Sequence, residues 1–89
     1  MTGTAMRENK MDKHYKLLMR DVCYWLVENA REASQEVKKL DKNSPEGYFA
    51  AGCLTTFQHV ISHIQNQAEG FQLDLDAIAL NNFDPYKDL

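Results

Sequence analysis

The sequence predicts an all-α fold: an antiparallel two-helix hairpin with a short C-terminal helical turn, associating into a four-helix bundle or a larger helical oligomer. Three observations predict it. From Lys10 to Leu40 there is no Gly or Pro, and apolar residues recur in steps of three and four. A cluster of turn residues, Asp41 to Glu46, then breaks the pattern. A second periodic segment follows, and from Gly47 to Ala68 it holds no Asp, Glu, Lys or Arg.

Residues 1–9 show no periodicity and read as a flexible N-terminal extension; residues 10–89 read as a single helical-hairpin domain. In the first helix Met11, Tyr15, Leu18, Val22, Trp25 or Leu26, Ala30, Ala33, Val37 and Leu40 form the apolar stripe, enough for roughly eight turns. Val22 to Val27 could pass for a buried strand, but its length and the absence of flanking turn residues favour helix. Ser44 suits an N-cap, Pro45 the first helical position and Glu46 the positive end of the helix dipole. So short a loop turns the second helix antiparallel to the first.

The second helix should run from Pro45 to about Glu69 or Phe71. Its apolar positions are Phe49, Cys53 or Leu54, Phe57, Val60 or Ile61, Ile64, Ala68 and Phe71, with Gly70 as the C-terminal breaker. In Leu73–Leu80 either Asp74 or Asp76 could cap one helical turn. The alternation there also fits an extended segment, and the turn is preferred. Asn81 to Tyr86 read as an ordered tail whose Phe83 and Tyr86 pack back.

Counting outward from the loop, residue i of the first helix should face approximately residue 85 minus i. Trp25 then lies near Val60 and Ala33 near Gly52. The basic start (Arg7, Lys10, Lys13, Lys16, Arg20) meets the acidic end (Glu69, Asp74, Asp76, Asp84, Asp88). Cys23 and Cys53 fall roughly 13 Å out of register at 1.5 Å per residue, too far for a bridge within one chain.

Composition narrows the function. A chain of 89 residues hides only about 60–65% of its unfolded surface, a thin core that small domains offset with disulfides, a metal or oligomerisation. A net charge of −3 argues against nucleic acid, which needs a concentrated basic face. Two cysteines are too few for a disulfide framework. With no signal-peptide core and no membrane-length apolar run, the expected location is the cytoplasm.

Two features do not fit an isolated hairpin. Leu17 and Tyr24 lie away from the apolar stripe of the first helix, with Val27 at its border. The outer face of the second helix carries Gly52, Thr55, Thr56, His59, Ser62, His63 and Asn66, where solvated helices normally carry Lys and Glu. The expected interface is therefore Leu17, Tyr24, Val27, Gly52, Thr56, His59 and His63, in a homo-oligomer with the dimer favoured. A solvated polar face is the plainer alternative.

His59 and His63, four residues apart, could present two imidazoles to a metal. Two ligands do not make a site, and His-Val-Ile-Ser-His lacks the Glu of a zinc-protease helix, so interface imidazoles are preferred. Cys23 and Cys53 read as packing thiols, and a Cys23–His63 pair would lack a third orienting group. Tyr15, Tyr24 and Trp25 read as core aromatics rather than a ligand cluster. No catalytic residue and no cofactor is expected. The function expected is a non-enzymatic, oligomeric protein-interaction or regulatory module, with room for an unidentified protein partner. The alternative is a metal- or small-ligand-binding helical protein using His59 and His63.

In the second half, Tyr48, Ala51, Gln67-Ala68-Glu69, Phe71, Leu73, Leu75, Ile78, Leu80, Asp84-Pro85 and Asp88-Leu89 resemble a group of small bacterial helical-hairpin proteins of unassigned role. The resemblance implies a bacterial cytosolic protein whose C-terminal segment belongs to the fold. It carries no catalytic residue over.

Overall fold

A computed structural model describes the backbone of residues 2–89 and the side chains of residues 13–89. Helix α1 spans Thr2–Lys39, α2 spans Pro45–Gly70, and a single 3-10 turn covers Leu75–Ile78. No strand occurs among the described residues. The molecule is a rod of 62 × 18 × 16 Å.

Residues 2–9, read from the sequence as a loose extension, continue α1. Extending a helix that already exists fixes one residue per hydrogen bond, and Ala5, Met6, Arg7 and Glu8 are good helix formers. The segment Val22–Val27 is helical, as its context required. The side chains of Arg7, Glu8, Lys10, Met11 and Asp12 lie outside the described residues.

The turn between the helices is built from the residues that announced it. Asn43 N–H donates to the Asp41 carboxylate at 3.0 Å, and the Ser44 hydroxyl donates to the Asp41 carbonyl at 2.7 Å. Ser44 then caps α2, its Oγ accepting from Gly47 N–H at 3.0 Å, with Pro45 and Glu46 in the first turn. That cap satisfies one of the donors a helix start leaves free. Gly47 is buried against this turn. A Cβ there would overlap the Asp41 carbonyl oxygen and lie 2.9 Å from its carbon.

Helix α2 ends one step later than Gly70 suggests. The left-handed residue is Gln72, at φ 58°, and Gly70 keeps a negative φ. Leu73 N–H donates to Ala68 O at 2.7 Å and Gln72 N–H to Glu69 O at 3.0 Å, the paired bonds of a Schellman ending. The same pair closes the 3-10 turn, where Asp74 is the N-cap and Ala79, at φ 60°, reverses the chain.

Residues 71–89 then run back toward the interhelical loop, along one side of the hairpin. Gln65 donates its amide to the carbonyls of Leu80 and Phe83 at 3.3 and 2.7 Å. Farther along, Gln58 donates to Pro85 O at 3.1 Å, and buried Ser34 donates its hydroxyl to Leu89 O. Phe83 also lies under the Arg31 guanidinium, 5.6 Å from ring centre to Cζ. The core joins Cys23, Leu26 and Ala30 of α1, Ile61 and Ala68 of α2, and Ile78 and Leu80 of the returning segment.

Two expectations are corrected here. The stripe through Leu18, Val22 and Trp25 does not face α2: these residues are 58%, 40% and 59% exposed. Leu26, Ala30 and Ala33 of the expected stripe are buried, and toward the N-terminus the buried arc turns by about one residue to Cys23, with Ser34 beside Ala33, because both α2 and the returning segment must be covered. Among the described residues no ion pair joins the acidic end to the basic start. The last residues of the acidic end fold back as far as Ser34, and the ion pair found among the described residues is the exposed Arg20–Asp21 contact at 4.0 Å, which contributes little.

Candidate functional site

The returning segment covers one of the two long grooves of the hairpin and leaves the other open. The open groove, about 680 Å³, lies near the loop. Its floor and walls are Ala33, Leu40, Pro45, Phe49, Ala50, Cys53 and Phe57, and its rim carries Asn29, Glu32, Glu36 and Glu46. A shallower hollow of about 430 Å³ shares Phe49, Cys53 and Phe57 and widens it toward Gly52 and Thr56.

Helical spacing makes this face. Positions 18, 22, 25, 29, 32 and 36 follow in steps of three and four along α1, and 49, 53, 56 and 60 do so along α2. Apolar side chains therefore continue past the groove on the same side: Phe49 is 75% exposed, and Leu18, Val22, Trp25 and Val60 remain uncovered. The groove is apolar inside and acidic at its edge, with no lysine or arginine lining it. It offers an apolar shape and negative charge.

The residues singled out from the sequence are placed differently. Gly52, Thr56, His59 and His63 share the outer face of α2, all exposed. Thr56 donates its hydroxyl to Gly52 O at 2.9 Å, and the His59 ring lies 6.5 Å from that of Tyr86. Nothing within 4 Å would meet a Cβ at Gly52, so the close helix approach within this chain is at Gly47 instead. Leu17 and Tyr24 are exposed on α1, and Val27 packs against the chain's own core. Tyr15 and Trp25, expected in the core, are each 59% exposed. Among the described residues no group of three or more His, Cys, Asp or Glu is placed to hold a metal ion, so His59 and His63 would need ligands from another molecule.

Both cysteines are free. Cys23 is fully buried, and desolvation raises its pKa above the ordinary 9.0. Because the raised value belongs to the folded state, the unfolded thiol ionises first as pH climbs, and this group's contribution to stability falls above about pH 9. His63 lies on the outer surface and Cys23 inside, so the structure does not assemble them as a catalytic pair. Cys53 is half-buried in the groove wall. Native protein at pH 7.5, dilute enough to be a single chain, should therefore take one maleimide per chain, at Cys53, and two in denaturant. Mass spectrometry of the intact and digested protein checks this; rapid native labelling of Cys23 would contradict the packing described.

The groove residues were missed because the sequence shows only that apolar side chains cover a wide arc of α1. The available signal was a doubled stripe, 18–22–25 beside 23–26–30. No helix among the described residues is long and apolar enough to cross a membrane. No family model, no curated protein and no solved structure matches the chain. The resemblance to small bacterial helical proteins therefore rests on its residue pattern alone.

Proposed function

We propose that this chain is a non-enzymatic helical interaction module that associates with copies of itself. The observation that carries the reading is the uncovered apolar face formed by Tyr15, Leu18, Val22 and Trp25 of α1 with Phe49 and Val60 of α2. Aromatic side chains present 150–250 Å² each, so these six residues leave roughly 500 Å² of apolar surface in water. That is near the upper end of about 300–600 Å² for the largest patch on a soluble monomer, where such patches commonly serve binding. The polar groups of the chain are otherwise settled: among the described residues no buried side-chain nitrogen or oxygen lacks a partner. Exposed apolar area is thus the unmet demand of the fold, and a second helical surface answers it.

Light scattering behind a sizing column, at tens of micromolar, tests the reading. The expected mass is at least twice the 10.3 kDa of one chain. Leu18→Glu combined with Trp25→Glu should return it to a single chain while helicity is kept. A wild-type protein that stays at 10.3 kDa at every concentration would overturn the proposal.

A further inference from the structure

We infer that the occupant of the acid-edged groove is the N-terminal third of α1 from a second copy, in a symmetric antiparallel dimer centred near residues 21 and 22. The inference rests on self-association and adds where the copies meet and in what register.

Three observations point to this occupant. The first is length. Helix α1 has 38 residues and α2 has 26, so α1 is longer by about 18 Å at 1.5 Å per residue. The excess lies at its N-terminus, since the loop joins the other ends. On the antiparallel ladder Gly70 stands opposite residue 15, and the first turns of α1 have no α2 beside them.

The second is charge. The groove rim presents Glu32, Glu36 and Glu46 with no basic residue among its lining. The basic stretch of the sequence is the start of α1, where Arg7, Lys10, Lys13, Lys16 and Arg20 outnumber Glu8 and Asp12. Within one chain these two regions lie at opposite ends of a 62 Å rod, so they can meet only between copies. Complementary potentials of this kind set register and orientation in helix pairs.

The third is that the exposed stripe matches itself when reversed. Two antiparallel copies of a helix meet where the paired residue numbers have a constant sum. Setting Leu18 against Trp25 makes that sum 43. The same sum sets position 7, an arginine, against Glu36, and position 11, a methionine, against Glu32. Apolar residues meet at the centre and one pair of opposite charges, Arg7 with Glu36, falls at each end by the two-fold axis. A helix with apolar anchors laid into an apolar groove is a recurrent recognition mode.

The test uses the full chain. Val22→Cys in a Cys53→Ser background should give a disulfide-linked dimer under mild oxidation, because residue 22 lies beside the two-fold axis. Thr55→Cys, on the outer face of α2, should not. The charge match is read by a swap. Glu32→Lys with Glu36→Lys, and separately Arg7→Glu with Lys10→Glu, should each weaken self-association at least tenfold in low salt, with helicity unchanged. An equimolar mixture of the two variants should recover the wild-type dimer. A wild-type monomer at all concentrations would sink both this inference and the function above. A wild-type dimer that cross-links at residue 55 and not 22, or that ignores both charge reversals, would sink the groove assignment and leave self-association standing.

Discussion

Gly47→Ala should lower the melting temperature by roughly 10–20 °C, the equivalent of about 2–3 kcal/mol for a domain of this size. The cause is local and steric. The added carbon would occupy the space of the Asp41 carbonyl oxygen and lie 2.9 Å from the carbonyl carbon. That neighbour is backbone, so no rotamer change relieves the overlap. The turn must open instead, and opening it disturbs the Ser44 hydroxyl, which donates to the same carbonyl and accepts from Gly47 N–H. Loss of an N-cap alone costs about 1 kcal/mol. Alanine's better helix propensity returns only about 0.5–1 kcal/mol. Gly52→Ala supplies the control: with open space around it, that variant should melt slightly higher than wild type. Thermal denaturation followed by circular dichroism separates the two. A G47A protein as stable as wild type would show that the turn is not closed as described, and a G52A protein melting lower would mean that the outer face of α2 is covered.

Leu80→Ala should cost about 2–5 kcal/mol, the range for truncating a buried aliphatic side chain. Leu80 is 1% exposed and packs with Ile61 and Cys23, which are fully buried. It also anchors the returning segment just after the left-handed Ala79. Without it, that reversal loses the burial that offsets its cost. The hydrogen bonds from Gln65 to Leu80 and Phe83, from Gln58 to Pro85 and from Ser34 to Leu89 should then open together. Amide exchange should rise across residues 75–89 well before it rises in α1. Phe71→Ala, at a position 73% exposed, should change stability by no more than about 0.5 kcal/mol. A Leu80→Ala protein within about 1 kcal/mol of wild type would mean that the C-terminal segment does not hold the core.

These two residues also separate what could be read in advance from what could not. Ser44, Pro45 and Glu46 fall where an N-cap, a first helical residue and a first-turn acid belong, and Asp74 caps the turn after it. Each follows from interactions within four residues. Gly47 gave no such warning. Its need for a missing side chain comes from a backbone carbonyl six residues away that closes over it once the turn forms. Gly52 drew attention instead because its neighbours are uncharged, which describes a surface and not a contact. The returning tail was expected to be ordered and to end against the basic start of α1. The contact of buried Ser34 with Leu89 sends its last residues toward the interhelical loop instead.

The amino-acid sequence alone determined the number of helices, the turn between them and the α-helical state of each, because periodicity, caps and breakers act over a few residues. Which arc of α1 is buried was decided only by the tertiary structure. Two stripes offset by one residue are equally apolar, and the choice between them belongs to the third element that covers one groove and leaves the other open. The candidate site is that open side, so it could be seen only after the chain had folded back on itself.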